Sequence, residues 1–229
     1  MSDWYVPDHV TQRTGTKCQF SNCWCAVGAW LHRAATGGTA IVSPEEFRTV
    51  SGGGSGRPNA VTGCNSGFEI DMVKGLDKLG VKANILKVTP QIALKLLTTE
   101  RRAVFGIAVD YDAWPVEKDC MNGVSGPDVN HMVGFIGGKP LKQVMNPLCQ
   151  DYQSVPALAV LKAAEKFSKQ AGRSSIWITR VVRPIPTGLT ADKARIAELE
   201  NEVEERDTAI TQALDLIVQA EGILSPYKE

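Results

Sequence analysis

Apolar residues recur along the chain at two different spacings, and the spacings divide it into helices and strands. After Cys25, the residues Val27, Trp30, Leu31 and Ala34 stand three and four apart, which predicts a mostly buried helix. Ala26, Ala29, Ala34 and Ala35 favour that helix, Thr36-Gly37-Gly38 stops it, and Cys25 falls at or near its N-terminus. Ser43-Pro44-Glu45-Glu46 is a capped start for a short helix, and an amphipathic helix near Phe68–Leu79 ends at Gly80. Val81–Val88 reads as a strand, and Thr89-Pro90 opens a helix to about Thr99. Ala103–Val109 is apolar without alternation, the mark of a central strand buried on both faces. Asn130–Gly138 and Leu141–Asn146 read as hairpin strands joined across Gly137–Pro140. A helix over Pro156–Ala171 and a strand over Ser175–Val182 follow. Helices come first and hairpin strands later, so the expected class is α+β and not a βαβ repeat.

Pro184-Ile-Pro-Thr-Gly188 is a breaker-rich linker. Beyond it Leu189, Ile196, Val203, Ile210, Ile217 and Leu224 recur every seventh position. The companion column is Asp192, Leu199, Arg206, Ala213 and Ala220. This predicts a coiled coil of about five heptads, roughly 54 Å long, through which residues 189–224 self-associate. A single amphipathic helix folded back on the domain is the competing reading. The expected organisation is a domain over 1–183, a linker over 184–188 and a helical oligomerisation segment over 189–229.

Lys+Arg and Asp+Glu both number 25, so no basic excess argues for nucleic acid or an acidic membrane surface. No run approaches about 18 apolar residues, so no membrane span is expected. The polar start Met-Ser-Asp-Trp-Tyr-Val-Pro-Asp lacks the features of a signal peptide, which implies synthesis in a cytoplasm. Six cysteines are too few for a disulfide-dense scaffold. Cys18-x4-Cys23-x-Cys25 is a poor zinc pattern, so neither metal nor cofactor is expected. The glycine-rich stretch Val50–Asn59 lacks the ending of a phosphate loop and reads as flexible backbone. Tyr111–Asp128 is a long loop of the kind that often carries function.

Candidate chemistry gathers at the first helix. A thiol at a helix N-terminus is stabilised as thiolate, and the Gln19 amide, six residues before Cys25, can donate to an oxyanion. The other half of an acyl-transfer site is a base and a group that orients it. His131 opens an apolar strand, and Asn146, fifteen residues on, ends the partner strand roughly opposite. His9 reads as a surface histidine, and His32 lies about two helical turns beyond Cys25, too far to share its site.

These residues resemble the papain-like cysteine peptidases. In that family a glutamine lies six residues before the nucleophile, as Gln19 does before Cys25. Gly63-Cys64-Asn65-Ser66-Gly67 resembles the family's cleft segment Gly-Cys-Asn-Gly-Gly. That implies substrate contacts at Gly63, Asn65, Ser66 and Gly67, and a disulfide from Cys64 to the segment before the nucleophile, with Cys23 as its partner. Asn130-His131-Met-Val-Gly-Phe-Ile-Gly resembles the family's Asn-His-Ala-Val-x-x-x-Gly, and Asn146 stands where the orienting asparagine belongs. Two departures stand out. The family's Cys-Trp pair occurs here as Cys23-Trp24, which keeps Cys23 open as the nucleophile, although its glutamine spacing is then short by two. Asn146-Pro147 resembles the Asp-Pro of the double-glycine, bacteriocin-processing branch, with asparagine for aspartate. In overall look the chain is also similar to lysins and tail-associated proteins of phages that infect actinobacteria.

The resemblance implies a papain-like fold, with a central cysteine-bearing helix packed on an antiparallel sheet. It implies a peptidase cleaving protein or peptidoglycan peptides through a thioester acyl-enzyme with Cys25, His131, Asn146 and Gln19. A virion or a host cell wall is then the place of action, with other virion proteins as partners. The rival from another class is a catalytically weak papain-like structural module assembled through its coiled coil. Acyl transfer to another acceptor, or deamidation, is open on the same residues.

Overall fold

A computed structural model describes residues 5–60, 62–114 and 130–184, together with residues 196, 198–200, 202, 203, 205–207, 209, 210 and 213 of the C-terminal segment. Among the described residues a 3-10 turn, Gln19–Ser21, leads into helix α1 (Cys23–Ala35), followed by α2 (Pro44–Ser51) and α3 (Glu69–Lys78). Strand β1 (Ala83–Val88), helix α4 (Pro90–Thr99) and strand β2 (Ala103–Asp110) come next. The hairpin strands β3 (Asn130–Ile136) and β4 (Val144–Met145), helix α5 (Ala157–Gln170) and strand β5 (Ile176–Val182) complete the order. The strands form one five-stranded sheet, β1-β5-β2-β3-β4, antiparallel at every pairing. The class is α+β, as the run of periodicities predicts.

The sheet is covered on both faces, and this explains the apolar run of β2. Phe105, Ile107 and Val109 point to one face, where α4 contributes Ile92, Leu96 and Leu97 and α5 contributes Val160, Leu161 and Ala164. Val104 and Ala108 point to the other, against Val27, Trp30 and Leu31 of α1, with Phe47, Met72 and Leu76 of α2 and α3 behind. Glycine lets these layers approach closely. A Cβ at Gly134 would stand 2.7 Å from the Trp30 ring, and one at Gly28 only 2.2 Å from Phe47.

The helix starts obey capping chemistry. Ser43 and Glu46 form the reciprocal capping box, with Pro44 in the first turn. Thr89 caps α4 through the Ile92 N–H.

Two boundaries differ from expectation. Helix α1 begins at Cys23 rather than after Cys25, with Asn22 as its N-cap residue. Strand β4 spans Val144–Met145 only, paired with β3 over those two residues, and its outer edge is met by a lone bridge to Gln153. The loop expected over Tyr111–Asp128 is described as far as Trp114, where Asp110 caps a short turn over Tyr111–Ala113; its remainder lies outside the described residues.

So do Leu189, Ile217 and Leu224 of the heptad column. Ile196, Val203 and Ile210 are helical and exposed, while Glu205 and Asp207 meet Arg180 and Lys95 at 3.3 and 3.6 Å. Among the described residues no helix is long and apolar enough to cross a membrane.

Candidate active site

The early start of α1 decides which sulfur faces the sheet. Residues two apart on a helix are separated by about 200° around its axis, so Cys23 and Cys25 face opposite ways. Cys25 is fully buried in the core beside α2, and burial pushes its thiol far above the usual cysteine range. The expected nucleophile therefore lies in packed hydrocarbon rather than in a solvent-reachable groove. Cys23 is partly exposed and occupies the first turn. The backbone N–H groups of Met132, Trp24 and Cys23 pull its thiol down. These donors favour the thiolate, as a helix N-terminus should, but desolvation outweighs them and the thiol is raised. Met132 follows His131 in β3, so the Cys23 thiol feels the backbone of the strand that carries the imidazole.

His131 lies at the start of β3, and its Nε2 is 2.9 Å from Asn146 Oδ1. The contact is diagonal rather than directly across. Gly134 faces Met145 in the ladder, and Asn146 follows just past the end of β4. Nδ1 is the ring nitrogen that this contact leaves unengaged. The Tyr111 ring meets the imidazole edge to face at 5.2 Å between centroids. Burial holds His131 down at about 4, so the ring is neutral at rest, opposite a neutral thiol.

The wall beside Cys23 is built by α2 and the 53–67 loop. The expected disulfide between Cys23 and Cys64 is not formed: Cys18 pairs with Cys64, and Cys23 is free. The reason is again the helix, which commits Cys23 to the sheet side while Cys18 lies in the turn ahead of it. Cys149 is also disulfide-bonded.

Arg48 ties the wall together. Its guanidinium donates to Asn22 Oδ1 at 2.7 Å, to the Gly53 and Asn65 carbonyls at 2.9 and 2.8 Å, and to the Ser21 carbonyl. It also stacks over the Trp24 ring. Gly67 lies flat on Trp24, where a Cβ would come within 2.4 Å of the indole. Asn65 and Ser66 spend their side chains on the Gly54 and Arg57 carbonyls, and Gly63 takes a turn with φ of 68°.

Gln19 does not reach toward either sulfur through its carbonyl end, since Oε1 accepts from the Gly15 N–H at 3.3 Å within its own turn. Gln12 is the buried glutamine here. Its backbone N–H donates to the Pro147 carbonyl and its Nε2 to the Gln19 carbonyl, both at 3.0 Å. It therefore bridges the Asn146 loop and the turn that feeds α1. No sequence spacing singled it out; the Thr-Gln-Arg context is ordinary. His9, expected at the surface, is half-buried and donates from Nε2 to the Asn146 carbonyl at 3.0 Å. His32 is buried within α1, away from this site. Among the described residues no group of three or more His, Cys, Asp or Glu side chains is arranged to hold a metal.

No family model matches the chain, and no curated protein matches it. Among solved structures it is similar to the crystal structure of a Bacillus anthracis protein proposed to be a C39-like peptidase. The TM-score is 0.52 at 14% identity, over 81% of this chain and 98% of that one. The likeness is one of fold.

Proposed function

We propose that this chain is a cysteine hydrolase that cuts peptide bonds, with Cys23 as nucleophile, His131 as base and Asn146 as the group that orients the base. The observation that carries this is the hydrogen bond from His131 to Asn146, together with a free, partly exposed Cys23 in the first turn of α1. The fold shared with the C39-like protein supports the same assignment.

On attack at a carbonyl carbon, the thiol proton passes to His131 Nδ1 and a carbon–sulfur bond forms. The oxyanion is held by backbone N–H groups at the start of α1. Collapse expels the amine, which takes the proton from His131. Water, deprotonated by the same imidazole, then releases the acid and restores the thiol. Gly63–Gly67, backed by the buried Trp24, form one wall of the cleft, and a peptide, free or within peptidoglycan, is the substrate class.

The test is turnover of a peptide and cell-wall panel by Cys23→Ala and Cys25→Ala. Loss confined to Cys23→Ala supports the assignment. Full activity in Cys23→Ala overturns it, and an inert wild type favours the structural-module reading.

The exposed apolar column of Ile196, Val203 and Ile210 supports self-association of residues 189–224 as a second property of the chain.

A further inference from the structure

We infer that Gln153 is a positioning residue that locks the Asn146 side-chain amide, and through it fixes which nitrogen of His131 carries the proton. This role rests on the cysteine-hydrolase function proposed above.

An asparagine side chain is nearly symmetrical in shape, and turning it by half a circle exchanges an acceptor for a donor. At Asn146 the neighbours remove that freedom. The side chain is 1% exposed, so water cannot compensate for a wrong orientation. Its Oδ1 lies 3.1 Å from the backbone N–H of Leu148, a group that can only donate. The atom facing Leu148 must then be the oxygen. The same oxygen is 2.9 Å from His131 Nε2, so Nε2 must be the protonated nitrogen. Nδ1 is thereby bare, which is the form a base needs.

The remaining end of the amide, Nδ2, donates to Gln153 Oε1 at 3.2 Å. If the amide turned over, its oxygen would face that oxygen and its NH2 would face two donors. Gln153 is itself held in register by paired backbone bonds with Val144, at 3.1 and 2.9 Å. The Asn146 backbone is pinned in turn, its carbonyl accepting from the Cys149 N–H and from His9. A chain of hydrogen bonds thus runs from Gln153 through Asn146 to His131.

Three variants of the full chain test the role: Gln153→Leu, which removes the acceptor; Gln153→Glu, which keeps one; and Gln153→Leu in an Asn146→Ala background. The readouts are kcat and KM on a peptide substrate and the His131 tautomer from long-range proton–nitrogen correlation at neutral pH. The wild type and Gln153→Glu should show the proton on Nε2. Gln153→Leu should lose about tenfold in kcat with KM nearly unchanged, and its His131 signals should move toward a mixture of tautomers. In the Asn146→Ala background the same substitution should cost nothing further.

A Gln153→Leu variant with wild-type kcat and tautomer overturns the role and leaves the hydrolase assignment standing. So does a folded Gln153→Glu variant impaired as deeply as Gln153→Leu. Should no substrate be turned over while the tautomer still responds to residue 153, the positioning role holds and the hydrolase assignment fails.

Discussion

At the scale of single residues, burial sets the protonation states. His131 is held at about 4, against 6.5 for a free imidazole. Between those values the unfolded chain binds a proton that the folded chain refuses. Folding stability from this residue is therefore complete above about pH 6.5 and is lost as the pH falls toward 4, by up to about 3 kcal/mol. His9 and His32 are lowered by the same cause and act in the same direction. Urea unfolding at pH 7.5, 6 and 5 should show a falling midpoint; a flat series would contradict the buried neutral imidazole.

The raised Cys23 thiol has a kinetic counterpart. Its alkylation by iodoacetamide should climb with pH through 9 instead of levelling between 5 and 8, because the resting pair is neutral. The two glutamines should separate as well. Gln12→Ala removes the amide that ties the turn before α1 and is expected to cost about 1–3 kcal/mol of stability, whereas Gln19→Ala, half-buried in its own turn, should cost less.

At the scale of elements, α2 matters to the site although it contributes no reacting group. Arg48→Met removes four donated hydrogen bonds and leaves carbonyls of the 53–67 loop and the pre-helix turn without partners. A loss of about 2–4 kcal/mol in chemical denaturation is expected. Gly67→Ala acts differently. Its Cβ drives into Trp24, the residue after Cys23, so kcat/KM should fall at least about tenfold for a stability loss of about 1–3 kcal/mol. Equal kinetics in Gly67→Ala and the wild type would mean that this wall does not border the cleft.

At the scale of the whole molecule, covalent closure and the C-terminal segment are the two levers. The Cys18–Cys64 disulfide closes a separation of 46 residues, and removing it by Cys18→Ser should cost about 4 kcal/mol through the freed unfolded chain. A midpoint that does not move on substitution or reduction would refute that. A chain cut after residue 186 should sediment as a monomer with unchanged turnover, while the full chain associates through its heptads; identical sedimentation of the two would remove self-association from residues 189–224.

The sequence by itself determined the α+β class, the central place of Ala103–Val109, the capped starts at Ser43 and Thr89, and the partnership of His131 with Asn146. All of these follow from patterns local to a helix or a hairpin, where spacing along the chain is spacing in the fold. Tertiary structure alone decided which cysteine is buried in the core and which one pairs with Cys64. Both depend on where α1 begins, and a shift of two or three residues there turns a side chain from the sheet surface into the core. Gln12 and Gln153 were invisible for a related reason: an uncharged amide gains a role only from the carbonyls and side chains that distant segments bring to it.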